Sequence, residues 1–587
     1  MTQWIREVGG MKKFDREFFR GFWALIAPYW SSEQKWAAWG LLCVVVGLNL
    51  GLVYISVVFN RWMNGFYNAI QALDKAKFIT SLYDFTWIAA VFIAIAVYML
   101  YLSQLLQIRW RTWLTERYLD KWLARQTYYR IQVFERTTDN PDQRISEDIN
   151  ALVNLTLNLG LGLLRAVVTL ASFVVILWGI SGPLTIPLGD MGELVVPGYM
   201  VWAAIFYAIC GTWLTMRVGS PLVGLNFNQQ RLEADFRYSL VRLRENSESV
   251  AIYGGEAQEK TGFMQRFMAL VGNFRQIMLR QKRLTWLTSS YNQLSVVFPL
   301  LVASPRFFAG QIQLGGLMQI SGAFGEVHRA LSFIVDSFVG IAEWKAVVER
   351  LSGFAETMRR VDSLRALEKI RMTPSREGKI ELDHLSVQLP DGKFLSRDIN
   401  LCLKPGDSLV VTGPSGCGKS TLLRVLANIW PYGEGGVCVP GAKEMMFLSQ
   451  KPYLPLGSLR EALFYPAGVR NDGVEVPEIL DLCGLSHLRD NLDEEGNWSQ
   501  TLSPGEQQRI AFARIFLLKP THVFLDEATA SLDETTESRL YGSLKERLPE
   551  SVLISVGHRS TILTWHSLHL TLKSDGSWRF EKMAAAA

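Results

Sequence analysis

The chain has 587 residues, with 60 Lys and Arg against 55 Asp and Glu, and a formal net charge of +5. This length exceeds one ordinary domain, and so balanced a charge excludes a protein built to follow a nucleic-acid backbone. Hydrophobic residues make up 49% of the chain and charged residues only 20%, which excludes disordered and collagen-like proteins. The cysteines, at positions 43, 210, 402, 417, 438 and 483, are scattered, so neither a zinc site nor a disulfide-stapled secreted fold is expected.

The N-terminal half contains long apolar stretches. Trp36–Phe59 has no charged residue and, at about 1.5 Å per helical residue, can cross a hydrocarbon core of about 30 Å. Three further uncharged stretches are Phe85–Leu106, Gly198–Met216 and Leu284–Ala303. Two more apolar stretches carry ionisable residues: Ala151–Gly179 with Arg165, and Leu314–Ile341 with Glu326, His328, Arg329 and Asp336. Uncharged runs of about 20 residues are rare in soluble helical cores, so we predict about six membrane-spanning helices.

The distribution of basic residues predicts the orientation. Arg and Lys concentrate after the second span and in the long connection 217–283, whereas the loop Ser181–Pro197 carries Asp190 and Glu193 and no basic residue. Because basic loops remain on the cytosolic side, both termini and both long connections are expected in the cytosol. The charged start of the chain lacks the pattern of a signal peptide. We expect a multi-pass protein of the inner (plasma) membrane, surrounded by lipid.

Beyond the sixth span the composition changes. Residues 342–375 contain a smaller share of apolar residues than the spans. This composition predicts a charged connecting helix that ends at Thr373-Pro374-Ser375. From Lys379 onward, strand-like and helix-like segments alternate, which predicts an α/β domain. The expected organisation is a transmembrane domain over 1–341, a linker helix over 342–375 and a second domain over 376–587. The basic loops predict that this second domain lies in the cytosol.

The second domain contains a phosphate-binding motif. It fits G-x-x-x-x-G-K-[ST] between an apolar strand and a helix, and consists of Gly413, Pro414, Ser415, Gly416, Cys417, Gly418, Lys419, Ser420 and Thr421. Glycines let backbone N–H groups approach phosphates, and the helix N-terminus adds its dipole. Lys419 is predicted to contact the β- and γ-phosphates, and the Ser420 hydroxyl to bind Mg²⁺. ATP and Mg²⁺ are the predicted cofactors.

An acidic motif follows about a hundred residues later. The apolar strand in THVFLDEATASLDE ends at Asp526-Glu527. Asp526 is predicted to hold Mg²⁺ and Glu527 to polarise the attacking water. Alone, two acids at a strand end could simply be solvated, but together with the phosphate loop they predict an ATP hydrolase.

Further motifs, in family order, resemble those of ATP-binding cassette (ABC) proteins. Leu502–Ile515 resembles the signature motif, Gln450 the Q-loop glutamine, Ser531-Leu532-Asp533 the D-loop and His558 the switch histidine. The resemblance implies catalytic roles for Glu527, His558 and Gln450, with Gln450 also near the metal. It further implies that the nucleotide site includes Ser503, Gly505, Glu506 and Asp533.

Two positions depart from the family pattern. The signature reads LSPGE, so that Pro504 and Glu506 stand where Gly and Gln are commonest, while Ser503, expected to touch the γ-phosphate, is retained. The aromatic residue that usually stacks on adenine is replaced by Leu389, and Phe394 is the other candidate.

The family binds ATP between the phosphate loop of one cassette and the signature of another. This chain has one copy of each motif. The resemblance therefore implies a half-transporter of exporter-type fold that works as a dimer, most simply with a second copy of the same chain about a two-fold axis.

Three segments of the membrane half resemble one ABC branch: Thr138–Asp148 (TDNPDQRISED), Glu245–Glu256 and Gly316–Phe333. That branch contains peroxisomal half-transporters for fatty acyl-CoA and bacterial fused permease-ATPases related to SbmA/BacA-like peptide-uptake permeases, and the bacterial members are the more similar. The resemblance implies uptake of an amphipathic or large hydrophilic solute, such as a cobalamin-like compound or a peptide. The alternatives are transport of fatty acids or acyl-CoA-like lipids, and a membrane ATPase that acts as a sensor or interaction protein.

Two features allow more than one interpretation. The first two of those segments are either polar structural turns or contacts with the ATPase domain. Within the spans, Glu326 and Arg329 either pair along one helix face or line a water-filled cavity with His328 and Arg165 and contact the solute.

Overall fold

The computed structural model describes residues 15–134, 140–187, 193–365, 369–469 and 476–583. The chain divides into two compact units, one formed by Met1–Lys121 with Thr138–Glu356 and the other by Trp122–Thr137 with Thr357–Ala587. The domain bounds 1–341, 342–375 and 376–587 stay predictions.

Long helices build the first unit. In chain order the helices are α1 (Arg16–Trp30), α2 (Lys35–Gln71), α3 (Lys75–Leu123), α4 (Thr127–Phe134, in the second unit), α5 (Pro141–Gln143), α6 (Ile149–Ser181), α7 (Tyr199–Glu245), α8 (Ser247–Tyr253), α9 (Glu256–Phe308), α10 (Leu314–Asp336) and α11 (Phe338–Arg365). A π-helical turn, Arg144–Asp148, joins α5 to α6. An antiparallel pair, β1 (Pro183–Pro187) and β2 (Glu193–Pro197), joins α6 to α7; Asp190 of the predicted acidic loop lies outside the described residues.

Four helical segments are long and apolar enough to cross a membrane: Lys35–Gln71, Lys75–Val133, Pro141–Ser181 and Tyr199–Glu245. The fifth and sixth predicted spans lie in α9 and α10, so the described helices are compatible with about six crossings. The sixth span is shorter than predicted. α10 ends at Asp336, where Ser337 is the C-cap, and a separate helix, α11, begins at Phe338.

Amide side chains join α2 to α10. The Asn60 Nδ2 donates to the Gln319 carbonyl at 3.1 Å, and the Asn64 Nδ2 donates to the Gln319 Oε1 at 2.5 Å. The Asn68 Oδ1 accepts from the Gly315 N–H at 2.8 Å. A Cβ at Gly315 would lie 2.0 Å from the Asn64 carbonyl oxygen. Glycine is needed at 315 because a side chain would prevent this close approach. Each amide hydrogen bond between the two helices replaces one that the amide would otherwise make with water.

A buried carboxylate ties the π-helical turn to α11. Asp148 accepts from the Arg350 Nε at 2.9 Å and from its Nη2 at 2.5 Å, and it also pairs with the buried Arg144. Both Arg144 and Asp148 are less than a tenth exposed. The carboxylate therefore pairs with two guanidinium groups, one of them on a buried side chain. Thr138 and Asp139, the start of this motif, lie outside the described residues.

The charged linker helix is shorter than predicted. α11 ends at Arg365, and Lys369–Pro374 forms a strand, β3, instead of helix. Ile370 is buried between the exposed Lys369 and Arg371. This alternation of exposed and buried residues fits a strand. It covers too few residues to be recognised in a sequence that follows a long helical pattern.

Two sheets form the frame of the second unit. Its further strands are β4 (Ile380–Gln388), β5 (Phe394–Leu403), β6 (Ser408–Thr412), β7 (Gly433–Val439), β8 (Met445–Leu448), β9 (Gly457–Ser458), β10 (Glu495–Gly496), β11 (His522–Asp526), β12 (Val552–Val556), β13 (Leu568–Leu572) and β14 (Trp578–Lys582). The larger sheet has the order β14-β13-β6-β12-β11-β8, and only β14 runs antiparallel to its neighbour. The smaller sheet has the order β3-β7-β4-β5.

Helices cover the larger sheet. They are α12 (Lys419–Leu426), α13 (Leu459–Phe464), α14 (Val476–Leu482), α15 (Trp498–Thr501), α16 (Pro504–Leu518), α17 (Glu534–Arg547) and α18 (Ser560–Leu563). α16 is almost wholly buried from Gln507 to Phe516. Strands β6, β11 and β12 are also continuously buried, as expected of parallel strands covered on both faces.

Residues 122–137 belong with the second unit although they follow directly from α3. Arg130 is buried and its Nη2 donates to the Asn428 carbonyl at 3.3 Å, and Ile131 is buried beside it. This segment, which the sequence did not single out, contacts the ATPase unit. Glu245–Glu256 belongs to the first unit, where it forms the end of α7, α8 and the start of α9.

We expect Asp148→Ala to lower the free energy of unfolding by about 3 kcal/mol, because it leaves the buried Arg144 without its carboxylate. The measurement is thermal unfolding of the purified protein in nanodiscs. Glu147→Ala is the matched control, because Glu147 is exposed and its described partner is the Gln143 amide at 3.0 Å. Equal losses of stability in the two variants would contradict the role of the buried carboxylate.

A buried histidine makes the stability of the second unit depend on pH. The His566 Nδ1 donates to the Ile562 carbonyl at 2.8 Å, so the Nε2, 2.9 Å from the Ser555 hydroxyl, accepts. Burial lowers the pKa of His566 to about 4. The unfolded chain therefore binds one more proton than the folded chain between about pH 6.5 and pH 4.

As pH falls through this window, we expect His566 to remove about 3 kcal/mol of stability. His566→Gln should be less stable at pH 7.5 but should lose less stability on acidification. Thermal unfolding of the wild type and the variant at pH 7.5 and pH 5 measures the difference. Parallel pH profiles would show that His566 is not responsible.

Candidate functional site

The phosphate loop Gly413–Thr421 connects β6 to α12. Gly413 (φ 146°) and Gly418 (φ 103°) adopt backbone conformations that other residues rarely reach. A Cβ at Gly413 would lie 2.3 Å from the Leu572 carbonyl oxygen, and one at Gly418 would lie 2.9 Å from the Leu395 Cβ. Glycine is therefore required at both positions for conformation and for space.

Lys419 is held against its own loop. Its Nζ donates to the carbonyls of Gly413 at 2.9 Å and of Pro414 at 3.0 Å, and the side chain is buried. The predicted residues of the loop differ in exposure: Pro414, Ser415 and Gly416 are exposed, Cys417 is buried, and Ser420 and Thr421 are half-buried. A cation thus lies inside a loop whose outer rim is open, as anion binding requires.

The acidic motif lies beside this loop. β11 ends at Asp526 and pairs with β12, which pairs with β6, so that the carboxyl ends of all three strands meet. The Ser420 Oγ donates to the Asp526 Oδ1 at 2.8 Å. Burial raises the pKa of Asp526 and the neighbouring Glu527 adds to the rise, while the Ser420 hydroxyl opposes it.

These oxygen atoms fit a Mg²⁺ ion, which binds one or two carboxylates and completes its shell with phosphate and water oxygens. Among the described residues no three His, Cys, Asp or Glu side chains form a metal cluster. A dedicated protein cage is thus absent from this part of the chain, and a site shared with a nucleotide is the arrangement that the Ser420–Asp526 pair suits.

Glu527 has a left-handed backbone (φ 49°), which is rare for a residue with a side chain. Its N–H donates to the Val556 carbonyl at 3.0 Å, so the adjacent strand fixes this conformation. The His558 Nε2 lies 3.5 Å from the Glu527 Oε1. The structure therefore brings the predicted base and the predicted switch histidine together at neighbouring strand ends.

Gln450 reaches the other motifs through a residue that the sequence did not single out. Gln508, in α16, is buried; its Nε2 donates to the Gln450 carbonyl at 2.9 Å, and its Oε1 accepts from the Ser531 N–H at 3.0 Å. The Gln450 side chain is exposed. One amide thus joins the Q-loop backbone to the D-loop backbone. Gln508 belongs to the signature segment Leu502–Ile515, but nothing in the sequence distinguishes it from the neighbouring Gln507.

The signature begins α16 with reciprocal capping bonds. The Ser503 Oγ accepts from the Glu506 N–H at 3.3 Å and donates to the Glu506 Oε2 at 2.8 Å, and the Ser503 N–H also donates to that Oε2 at 2.9 Å. Pro504 occupies the first helical position, which suits proline. Both departures from the commonest signature therefore favour this helix start. Burial acts to raise the pKa of Glu506, but hydrogen bonds from Ser503 and His487 hold it below its usual range.

The D-loop is fixed at both ends. Asp533 begins α17, where it accepts from the Thr535 hydroxyl and from the Thr536 N–H, and these bonds hold its pKa well below the usual range. Arg559 donates to the Leu532 carbonyl at 2.8 Å and to the Ala530 carbonyl at 3.1 Å. Arg559, next to the switch histidine, is a second residue that the sequence analysis missed.

The signature is not joined to the phosphate loop of its own chain. No described hydrogen bond links Ser503, Gly505 or Glu506 to Gly413–Thr421. Gly505 instead approaches the D-loop, since a Cβ there would lie 3.2 Å from the Ser531 carbonyl oxygen.

The two candidates for contact with adenine flank one turn. The Leu389 N–H donates to the Lys393 carbonyl at 2.8 Å, after β4. Phe394 starts β5, and the Arg397 guanidinium lies 4.5 Å from its ring centre. Both remain candidates, because each lies at the same turn.

The predicted spans contain several ionisable residues. The Arg329 Nη1 donates to both carboxylate oxygens of Glu326 at 3.1 Å. The His328 Nδ1 lies 3.5 Å from the Tyr291 hydroxyl. Arg165 is exposed, and no described hydrogen bond connects it to the other groups. The predicted pair along one helix face is therefore present.

Fold and site together define a membrane-spanning ATPase that carries its phosphate loop and catalytic acids in one domain. A model of ABC transporter transmembrane region 2 matches residues 25–308, and an ABC transporter model matches residues 396–530. An uncharacterized ABC transporter ATP-binding protein of Haemophilus influenzae is 39% identical, over 95% of this chain and 93% of the relative. The chain belongs to the ABC transporter family. It joins one transmembrane region to one ATPase domain, as half-transporters do, and couples ATP hydrolysis to transport.

Two further relatives are similar over their whole lengths. The inner membrane ABC transporter ATP-binding protein YddA of Escherichia coli is 34% identical, over 91% of this chain and 94% of the relative. The lysosomal cobalamin transporter ABCD4 of Homo sapiens is 27% identical, over 98% of each chain.

A solved structure shows the same fold. The structure of a bacterial Atm1-family ABC exporter with ATP bound superposes with a TM-score of 0.69 at 18% identity, covering 94% of this chain and 96% of that chain. The predicted exporter-type architecture, a helical membrane domain followed by an α/β ATPase domain, is confirmed.

We expect Gln508→Ala to lower the kcat for ATP hydrolysis about tenfold, because it removes both bonds that join the Q-loop and D-loop backbones. The measurement is steady-state ATPase activity in nanodiscs, with thermal unfolding beside it. Gln500→Ala, an exposed glutamine of the same segment, is the control. Full activity of Gln508→Ala would show that the bridge is not needed for hydrolysis.

Proposed function

We propose that this chain is an ATP-driven transporter of the inner membrane that works as a homodimer and takes up an amphipathic or large hydrophilic solute. The observation that carries the ATPase assignment is the meeting of Ser420, Asp526, Glu527 and His558 at adjacent strand ends. YddA is named as an inner membrane protein, which supports the proposed location in the inner membrane. ABCD4 is named as a cobalamin transporter, which supports a cobalamin-like solute.

Each site residue has a role in this proposal. Lys419 leaves the Gly413 and Pro414 carbonyls to contact the β- and γ-phosphates, which offer a stronger acceptor for its ammonium group. Ser420, Asp526 and Gln450 would hold Mg²⁺, which would supply positive charge to the phosphates. Glu527 accepts a proton from the water that attacks the γ-phosphorus, and His558 orients the γ-phosphate.

The dimer is inferred from the family resemblance, because a chain with one phosphate loop and one signature needs a second copy to complete a shared ATP site. Ser503, Gly505, Glu506 and Asp533 would complete the nucleotide site of a second copy, since they make no described hydrogen bond to their own phosphate loop. Two ATP molecules between two chains then favour one access state of the membrane helices. To change the ratio of the two access states from 1:99 to 99:1, ATP must bind the favoured state more tightly by about 5.5 kcal/mol.

The proposed class of solute is inferred from the sequence of the membrane half. Three segments, Thr138–Asp148, Glu245–Glu256 and Gly316–Phe333, support placement with the SbmA/BacA-like bacterial permease-ATPases. A cobalamin-like compound or a peptide is therefore the favoured solute. Fatty acids or acyl-CoA-like lipids are the alternative, because the same branch contains acyl-CoA transporters. A sensor that hydrolyses ATP without moving solute is the remaining candidate.

ATPase activity in nanodiscs tests the proposal. We expect the wild type to hydrolyse ATP and Glu527→Gln to lose at least about a hundredfold in kcat, because an amide cannot accept the proton of the attacking water. The assay is repeated with cobalamin, a basic peptide and a long-chain acyl-CoA. Stimulation by one of them nominates the solute, and uptake of that compound into proteoliposomes separates a transporter from a sensor. An inactive wild type would contradict the homodimeric transporter.

Complementation tests the shared site. Lys419→Ala removes the phosphate-loop cation, and Ser503→Arg blocks the signature, so each variant alone should be inactive. When both chains are co-purified with different tags, one of the two sites is intact. We expect the mixed dimer to recover about a quarter to a half of the wild-type rate. No recovery would contradict a site built from two copies.

A further inference from the structure

Glu506 divides its two carboxylate oxygens between two partners. The Oε2 accepts from the Ser503 N–H and hydroxyl, at 2.9 and 2.8 Å, and the Oε1 lies 2.9 Å from the Nε2 of His487. His487 belongs to a 3₁₀ turn, Ser486–Asn491, that precedes the signature. Its side chain is about half exposed, whereas that of Glu506 is 21% exposed. The imidazole therefore covers the outer oxygen of a mostly withdrawn carboxylate.

The carboxylate creates an electrostatic conflict. In the proposed function, which this inference assumes, Ser503 faces the γ-phosphate bound by the second copy. A glutamine at 506 would be neutral, but Glu506 adds a negative charge within one turn of that phosphate, and like charges repel more strongly where water is scarce. The Ser503 hydroxyl also donates its hydrogen bond to Glu506, whereas contact with the phosphate would require that same hydrogen bond.

Other cations near the signature are directed elsewhere. Arg489 pairs with Asp481, and the Arg509 guanidinium lies beside Gly484. In the described contacts of Glu506, His487 is the basic side chain. Its ring nitrogen donates to the carboxylate, and in the protonated form it also cancels the charge.

We propose that His487 is a positioning residue for ATP hydrolysis, which binds Glu506, offsets its charge and so leaves Ser503 able to contact the γ-phosphate of the nucleotide held by the partner chain. His487 does not touch the nucleotide in this arrangement. It acts through Glu506, and it is needed only because the signature carries an acid at this position.

The dependence on the acid gives a sharp test. We expect His487→Ala to lower the kcat for ATP hydrolysis about five- to tenfold in the wild-type background, and to change it less than about twofold in a Glu506→Gln background. The neutral glutamine removes the conflict, so the histidine becomes dispensable. A merely structural histidine would instead cause the same loss in both backgrounds, and that result would overturn the inference, as would no loss in either.

His384→Ala is the matched control. His384 is another histidine paired with a carboxylate, Asp398, at 2.5 Å in the smaller sheet, so its removal deletes the same group without touching the signature. We expect wild-type kcat for this variant. Thermal unfolding of every variant identifies any loss of activity that reflects misfolding. If His487→Ala is destabilised in the wild-type background, the same substitution in the Glu506→Gln background still provides a valid comparison.

The same assay separates this inference from the proposed function. An inactive wild type, or activity that survives Glu527→Gln, would refute the ATPase roles themselves. An active wild type that depends on Glu527 but shows equal effects of His487→Ala in both backgrounds would refute the inference alone.

Discussion

The parallel pairing of β6, β12 and β11 is the constraint on which the nucleotide site depends. Parallel strands present their carboxyl ends at one edge of a sheet, so the phosphate loop, His558 and the Asp526-Glu527 pair meet although they lie far apart in the chain. The Ser420–Asp526 hydrogen bond then closes the loop against the acid. Continuous burial of these strands leaves no freedom to slip the register, and so the geometry of the site is as rigid as the core.

Around this edge, buried polar side chains fix the loops that the sheet does not reach. Gln508 joins the Q-loop to the D-loop, and Arg559 holds the D-loop carbonyls beside the switch histidine. A buried polar group without a partner is costly, so each of these loops has few alternative positions. The same principle operates in the membrane half, where Asp148 pairs with two arginines and asparagines of α2 bond to α10. Rigid polar connections of this kind let a change at one loop shift its neighbours together.

Local patterns predicted the long features well and the short ones poorly. The apolar runs identified the helices of the membrane half, and the motif spacing identified the phosphate loop and the strand before Asp526, because these signals extend over many residues. The predicted linker helix extends through β3, and the predicted sixth span extends beyond the end of α10 at Asp336, since a short strand and a single break between two helices leave little trace in a sequence. The segment 122–137 reads as a continuation of α3, yet the burial of Arg130 and Ile131 places it with the ATPase unit.

The sequence by itself determined the class of protein, because membrane insertion and phosphate binding each require particular residue types in a particular order. Uncharged stretches of spanning length, a glycine-rich loop with Lys419 and a strand ending in two acids define a membrane ATPase before any coordinates are considered. Only the tertiary structure decided which side chains hold these motifs in place. The pairing of His487 with Glu506, the bridge made by Gln508 and the left-handed backbone of Glu527 depend on contacts between segments distant in the chain, and distance along a sequence carries no information about such contacts until the strands have been ordered.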